Sequence, residues 1–229
     1  MTVTAKLHRA ALLASLAALT ACGGGGGGEA APAPAPTPPS APAPQVTLTV
    51  SNGAGVAGNI VITLEPTAAP VTVANFLQYV NSGFYNGTVF HRHGRSPTGG
   101  APSTFVLQGG GFAGPLTSTA SFGQPKTTLA PIALEVGRGL SNVRYTVAMA
   151  RTNVLNSATS QFFINTTDNA FLDTASGGYA VFGTVTAGRD VVDAMVAAPC
   201  SLSSVNFGGT SVDCLPTPNL TITAAVQTR

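Results

Sequence analysis

The sequence predicts a mainly β domain in the form of a closed barrel or a sandwich. About eight or nine short segments alternate apolar with polar residues or are rich in β-branched residues, and Gly-rich stretches separate most of them. Only two segments carry apolar residues at helical spacing, and no internal repeat is present. This pattern favours a barrel or a sandwich over alternating βαβ units.

The domain begins with a predicted hairpin and a helix. QVTLTV (45–50) alternates, NIVITLEP (59–66) is β-branched, and SNGAGVAG between them supplies turn residues. In the next segment Pro70 suits a first helical turn, and Gly83 is predicted to end the helix. The apolar stripe of this helix consists of Val73, Phe76, Leu77 and Val80.

The rest of the chain predicts more strands and one more helix. The six strand segments are TVFHR (88–92), TFVLQ (104–108), PIALEV (131–136), YTVAMA (145–150), SQFFIN (160–165) and YAVFGTV (179–185). AGRDVVDAMVAA (187–198) predicts a second short helix, and NLTITAAV (219–226) a final strand. Within SQFFIN, Gln161 and Phe163 point to the face opposite Phe162, so one Phe can enter the core while the other shares the outward face with an amide.

The N-terminal residues predict export rather than a folded segment. Residues 1–21 have a basic start, an apolar run too short to span a bilayer, and small residues at the end, which is the layout of a signal peptide. LTAC (19–22) resembles the lipobox of bacterial lipoproteins, which implies lipidation of Cys22; ordinary cleavage beside an incidental Cys is the alternative. Residues 23–44 form a Gly/Ala/Pro-rich linker that is predicted to be disordered and to act as a spacer, or simply as a tail.

The composition restricts the partners of residues 45–229, the predicted domain. Charged residues make up only 8% of the chain, and removal of residues 1–21 leaves eight basic and eight acidic residues. A chain without net positive charge has no electrostatic footprint for nucleic acid. Besides Cys22, the cysteines are Cys200 and Cys214. After export they are expected to form a disulfide, with two free buried thiols as the alternative.

Six sequence blocks resemble the cyclophilins, which are peptidyl-prolyl cis-trans isomerases. They occur in the family's order and approximate spacing, and the resemblance covers about residues 45–226 and is closest to the bacterial exported branch. The blocks are FHR (90–92), FVLQGGG (105–111), AMAR (148–151), SATSQFFIN (157–165), NAFLD (169–173) and YAVFG (179–183). The resemblance implies a closed eight-stranded antiparallel β-barrel capped by two α-helices.

The resemblance also implies the site residues. Arg92 matches the catalytic arginine, and Gln108 and Phe105 complete the catalytic set. The implied substrate-binding residues are Val106, Ala150, Arg151, Gln161, Phe163, Phe171, Leu172 and Tyr179. Among them Val106 stands for the usual Met, Phe171 for a frequent Trp and Tyr179 for a frequent His. We expect Arg92→Ala to abolish most turnover and to leave the thermal midpoint nearly unchanged, because a groove residue is not part of the core.

Other chemistries are less well supported by the sequence. Rotation about an X–Pro bond breaks no bond, so we expect no metal and no cofactor. His91 and His93 share a strand face, but no Cys or carboxylate is obviously spaced to complete a metal site. The insertion HGRSPTGGAPST (93–104), where most family members have only a few residues, could alter access to the groove.

The sequence is compatible with three functions. The first is a monomeric, membrane-tethered isomerase that acts on proline-containing unfolded or exported polypeptides during their folding. Its expected location is the periplasmic face of the outer membrane, since Gly23 after Cys22 is not the Asp that commonly retains lipoproteins at the inner membrane. The second is a proline-segment-binding chaperone or assembly module with little turnover, which the insertion favours. A structural envelope lipoprotein would explain the anchor but not the groove residues.

Overall fold

Eight antiparallel strands close into a barrel in the computed structural model, which describes residues 41–96, 103–116, 125–201 and 213–229. The strand order around the barrel is β1-β10-β3-β4-β6-β5-β7-β2. The barrel strands are β1 (Gln45–Ser51), β2 (Ala57–Leu64), β3 (Thr88–Ser96), β4 (Ser103–Ala113), β5 (Thr146–Met149), β6 (Phe162–Asn165), β7 (Val181–Ala187) and β10 (Leu220–Gln227). The predicted closed eight-stranded barrel is confirmed.

Two α-helices accompany the barrel, as predicted. Helix α1 spans Pro70–Asn81 and α2 spans Arg189–Ala197, and they contact β10 and β2 respectively. Gly83, just after α1, has a φ of 69°, in the left-handed region that glycine adopts without strain. The remaining elements are two short 3₁₀ helices, Ala170–Asp173 and Ala175–Gly177, and the two-stranded sheet of β8 (Cys200–Ser201) with β9 (Leu215–Pro216).

The prediction of a strand at PIALEV (131–136) is wrong. The segment makes only one isolated bridge, between Ile132 and Ala158, and otherwise runs without regular pairing. Its carboxylate instead caps α1: Glu135 Oε2 accepts hydrogen bonds from the Thr72 backbone N–H at 2.8 Å and from its hydroxyl at 2.9 Å. Glu135 thereby satisfies N–H donors that the first turn of any helix leaves without partners.

The barrel interior is filled by apolar side chains with an aromatic centre. The ring of Phe76 on α1 lies 4.9–5.5 Å, between centroids, from the rings of Tyr85, Phe162 and Phe182. A second, smaller apolar cluster contains Val106, Ala148, Phe163, Leu172 and Val181. This smaller cluster lies at the site described next.

Several predictions fall on residues that the structure does not describe. They are the signal peptide, Cys22 with the linker up to residue 40, and residues 97–102 of the insertion. The ends of the insertion continue β3 and β4 as a longer hairpin. Within the described ranges, no helix is long and apolar enough to cross a membrane.

Candidate functional site

A row of side chains crosses the outer face of five neighbouring strands. Arg92 on β3 is the register partner of Gln108 on β4, and Gln108 is the partner of Phe163 on β6. Phe163 in turn pairs with Ala148 on β5, which pairs with Val181 on β7. Directly opposed residues of antiparallel strands point to the same face. The pairing therefore brings residues from distant parts of the chain into one line.

A β-bulge directs Arg92 to this face. Phe90 pairs with Gly109, but Arg92 pairs with Gln108, so two steps along β3 match one step along β4. Phe90 is fully buried in the barrel interior, whereas the Arg92 side chain is 20% exposed. Strict alternation would have put Phe90 and Arg92 on the same face. The extra residue reverses the direction of the strand's side chains, as bulges do next to functional sites.

Hydrogen bonds connect the polar members of the row. Arg92 Nη1 donates to Gln108 Oε1 at 2.9 Å, and Gln108 Nε2 donates to Gln161 Oε1 at 3.0 Å. On its other side, Arg92 Nε donates to Asp213 Oδ2 at 2.5 Å. The guanidinium is thus held at two of its edges.

Three residues of this row, Arg92, Gln108 and Phe163, line an open groove with a volume of about 570 Å³. All but one of the catalytic and substrate-binding residues named from the sequence line this groove. The lining consists of Arg92, Phe105, Val106, Gln108, Ala150, Arg151, Thr152, Asn153, Ser157, Thr159, Gln161, Phe163, Leu172 and Tyr179. Phe171 is the exception: its side chain is 59% exposed, and its ring lies 6.1 Å from that of Phe105.

The two rings of SQFFIN lie on opposite faces of the barrel wall. Phe162 is fully buried and packs against Phe76 in the interior. Phe163 is 4% exposed and belongs to the smaller apolar cluster, which lies on the outer face of the barrel. There its ring contacts that of Tyr179 edge-on, with 5.7 Å between the centroids. The outer face therefore has an apolar floor at Phe163 beside the amide of Gln161.

Arg151 braces one rim of the groove. Its guanidinium donates to the carbonyl oxygens of Thr152, Ser176 and Gly178 at 2.7–3.0 Å. It also stacks on the ring of Tyr179, 4.7 Å from the ring centroid. Arg151 thus fixes the loop that carries Tyr179.

Two glycines leave room for the polar row, a role that the sequence reading missed. A Cβ atom at Gly94 would lie 2.6 Å from Val106 Cγ2 and 3.2 Å from Arg92 Nη2. A Cβ atom at Gly111 would lie 2.6 Å from Gln161 Nε2. These spacings are shorter than normal van der Waals contact. The sequence shows these glycines only as the end of the FVLQGGG block, and the clash at Gly111 becomes visible only once Gln161 is placed over it.

Asp213 is the third residue that the sequence reading missed, and it corrects one expectation. The carboxylate side chain is 1% exposed and pairs with Arg92. Removing Arg92 would take away the guanidinium that balances this buried charge, which typically costs on the order of 3 kcal/mol. We therefore now expect Arg92→Ala to lower the thermal midpoint, in place of the nearly unchanged midpoint expected from the sequence.

The structure also brings a histidine to the two cysteines of the domain. Cys200 and Cys214 are joined in a disulfide. His93 is fully buried beside them, with all three potential ligand atoms within 4.8 Å of one another. From the sequence alone no Cys was obviously spaced to join the histidines, because both cysteines lie more than 100 positions after His93. Sulfurs that are bonded to each other are not thiolates, so this form of the cluster does not offer the ligands that a metal ion prefers.

Burial keeps the two histidines of β3 neutral. It lowers the pKa of His91 and of His93 to about 4, from about 6.5 for an exposed histidine. Burial is the largest cause of these values, and the positive charges of Arg92 and Arg95 also contribute to the lowered pKa of His91 and of His93 respectively. Between pH 6.5 and pH 4 the unfolded chain therefore binds protons that the folded chain does not.

We expect this difference to reduce stability below neutral pH. Because the unfolded state gains the protons, the free energy of unfolding falls as the pH drops from 7 to 5, by about 2 kcal/mol for each histidine. Urea unfolding at pH 7 and pH 5 measures the change, above the range where carboxylates titrate. His93→Gln should roughly halve the pH dependence. Equal stability at the two pH values would show that the histidines are not held neutral.

Comparison with known proteins identifies a matching family. Residues 46–225 match the family described as cyclophilin type peptidyl-prolyl cis-trans isomerase/CLD. The peptidyl-prolyl cis-trans isomerase cyp18 of Streptomyces antibioticus is 54% identical over 144 residues, which are 61% of this chain and 78% of the relative. Isomerase A of Dickeya dadantii is 49% identical over 139 residues, 60% and 65% of the two chains. Isomerase B of Escherichia coli is 45% identical over 141 residues, 59% and 77% of the two chains.

The barrel is also similar to solved structures. A cyclophilin type peptidyl-prolyl cis-trans isomerase of Cryptosporidium parvum superposes with a TM-score of 0.59 at 21% sequence identity. The superposition covers 82% of this chain and 98% of that one. At this identity the likeness concerns the fold. The Cryptosporidium protein was also solved in the presence of the dipeptide Ala-Pro.

Proposed function

The chain belongs to the cyclophilin-type peptidyl-prolyl cis-trans isomerases and is an enzyme of that activity, and on this premise we propose that it isomerises X–Pro bonds in exported proteins and so assists their folding in the cell envelope. The observation that carries the export half of this proposal is the signal-peptide layout of residues 1–21 ahead of Cys22. The observation that carries the catalytic half is the line of groups from Arg92 to Phe163 in one groove.

The apolar part of the groove suits the proline ring. Phe163, Val106 and Leu172 are almost completely buried around its floor, and Tyr179 and Phe105 are only partly exposed. A proline ring placed there removes apolar surface from water on both sides, and the ring is held while the preceding carbonyl turns. Such contacts exist in the planar and the twisted state alike, so they contribute to binding more than to the rate.

Arg92 supplies the interaction that can favour the twisted state. The barrier of ~18–20 kcal/mol reflects amide resonance, and the twisted proline nitrogen carries a lone pair that the planar form lacks. Arg92 uses Nε for Asp213 and one N–H of Nη1 for Gln108, and its Nη2 has no hydrogen-bond partner within the described part of the chain. A guanidinium has five N–H donors and stays charged at any relevant pH. Donors therefore remain for the lone pair or for a substrate carbonyl.

The required energy is within reach of such a group. An acceleration of about 10⁵-fold corresponds to about 7 kcal/mol of preference for the twisted state. One preorganised charged donor in a partly dry site typically supplies about 3–4 kcal/mol. The exclusion of water by the apolar floor and the fixed orientation of the carbonyl provide further contributions. The step needs no nucleophile, acid, base or metal, because no bond is broken.

The proposed location is the periplasmic face of the outer membrane, with a lipid on Cys22 and residues 23–44 as a spacer. About two thirds of the spacer is Ala/Pro-rich and favours an extended conformation. A tether of this kind would hold the groove away from the lipid surface and accessible to chains that emerge unfolded. Recognition would rest on apolar contacts and backbone hydrogen bonds, since the chain after residue 21 has as many acidic as basic residues.

The location is tested by replacing the lipidated residue. We expect Cys22→Ser to release the protein from the membrane fraction or to block its processing, because serine offers no thiol for the lipid. The matched control is Gly24→Ser, which places the same hydroxyl group two residues further along the linker. Immunoblots of separated inner-membrane, outer-membrane and soluble envelope fractions give the result. Unchanged processing and fractionation of Cys22→Ser would rule the anchor out. The assignment of isomerase activity does not depend on this result.

A further inference from the structure

We propose that Asp213 is a positioning residue that sets the orientation of the Arg92 guanidinium for catalysis. Its two carboxylate oxygens have different partners on β3. Oδ2 accepts from Arg92 Nε at 2.5 Å, and Oδ1 accepts from the backbone N–H of Arg95 at 3.0 Å. The carboxylate therefore fixes the arginine relative to the strand that carries it.

The geometry of the contact matters as much as its charge. A long arginine side chain loses rotamer entropy when it is held in one conformation. Asp213 contacts the Nε edge of the guanidinium and Gln108 contacts Nη1 on another edge. Two contacts at different edges determine the plane of the group. The orientation of Nη2 is thereby fixed in advance, so the side chain needs no further ordering when the X–Pro bond twists.

Asp213 is itself held firmly. The next residue, Cys214, is fully buried, is bonded to Cys200, and exchanges two backbone hydrogen bonds with His93 at 2.9 and 3.2 Å. Cys200 follows closely after α2, so the disulfide ties this segment to a helix of the barrel. His93 is the immediate neighbour of Arg92 on β3. The carboxylate is therefore anchored to the same short stretch of backbone that presents the arginine.

A second Arg–Asp pair shows what an ordinary surface contact looks like in this protein. Arg144 and Asp193 pair at 2.9 Å, but their side chains are 50% and 48% exposed and lie outside the groove. Pairs of this kind contribute little, and water screens them. In the groove pair the Asp213 side chain is 1% exposed. The contrast favours a role for Asp213 beyond surface charge pairing. Asp193→Asn, which makes the same chemical change in the exposed pair, is a matched control.

The inference rests on the proposed role of Arg92, and the experiment separates the two. Turnover of a short X–Pro peptide is measured by NMR exchange for the full purified chain and for Arg92→Ala, Asp213→Asn, the double variant and Asp193→Asn. All are assayed well below their thermal midpoints. We expect Asp213→Asn to lower kcat by about ten- to 100-fold with little change in KM, because Arg92 acts on the twisted state and the apolar floor binds the ring. Asp193→Asn should retain wild-type kcat.

The double variant distinguishes positioning from a general structural effect. In the Arg92→Ala background, Asp213→Asn should cause no further loss of kcat, since there is no guanidinium left to orient. The same fold loss in both backgrounds, or an Asp213→Asn kcat within about two-fold of wild type, would overturn the positioning role. If Arg92→Ala itself kept full turnover, the assignment of Arg92 as catalytic would fail instead.

A measurement on the unmodified side chains covers the case in which Asp213→Asn does not fold. The Nε–H resonance of Arg92, identified by its absence in Arg92→Lys, should exchange slowly with solvent because Asp213 accepts that hydrogen. Exchange as fast as that of the exposed Arg144 would show that the contact does not hold the guanidinium in solution, and would also overturn the proposal.

Discussion

Replacing Arg92 by alanine is expected to lower kcat/KM for an X–Pro peptide by about 100- to 1,000-fold, which is typical of losing one preorganised donor at a developing charge. The same change should reduce the free energy of unfolding by on the order of 3 kcal/mol, because the buried Asp213 carboxylate loses the positive charge that balances it. NMR exchange or a coupled peptide assay measures the first effect, and urea unfolding measures the second.

The double variant Arg92→Ala/Asp213→Asn is the control for this result. It removes the buried charge that Arg92 no longer balances, so it should recover part of the lost stability without recovering turnover. Recovery of both would mean that the activity loss in Arg92→Ala came from a damaged fold. Turnover within about ten-fold of wild type in Arg92→Ala would contradict the catalytic role of the guanidinium.

Replacing Phe163 by alanine is expected to weaken the enzyme by a different route. The ring is 4% exposed at the floor of the groove and packs within the outer apolar cluster. Its loss should cost about 3 kcal/mol of stability, as for other buried Phe→Ala changes. It should also raise KM, by up to about 100-fold, since the proline ring loses most of its apolar contact there.

Phe171→Ala makes the same chemical change at an exposed position. The Phe171 side chain is 59% exposed and lies outside the groove lining, so stability should change by no more than about 0.5 kcal/mol. Steady-state kinetics and thermal unfolding of the two variants, side by side, give the comparison. Equal KM values for Phe163→Ala and Phe171→Ala would show that the proline ring does not bind on Phe163.

The sequence predicts the fold well where local patterns are strong. The hairpin, both helices and all the barrel strands occur close to the predicted positions, because alternation and helical spacing are local properties of the chain. The segment PIALEV failed although its residues suit a strand. Its backbone has no neighbouring strand to pair with over most of its length, and Glu135 is engaged at the N-terminus of α1. Pairing partners depend on the tertiary structure and cannot be read from a segment alone.

The candidate site was predictable from the family blocks but not from the residues alone. Arg92, Gln108 and Phe163 lie on three strands, and only the register brings them into one row. The bulge at Phe90/Arg92 breaks the alternation from which a strand face is usually inferred. Asp213 is 121 positions from Arg92 and lies outside every matched block. Contacts of this range leave no periodic signal in the sequence.

The most direct test of catalysis by these groups alone is the exchange rate of a short X–Pro peptide with the purified chain in excess chelator. Spontaneous exchange proceeds at on the order of 0.01 per second. We expect the enzyme to raise the rate by several orders of magnitude, with no loss after exhaustive chelation and with the loss described above in Arg92→Ala. Exchange at the spontaneous rate, or activity that disappears with the chelator and returns with a metal ion, would contradict isomerisation by the Arg92–Gln108–Phe163 row.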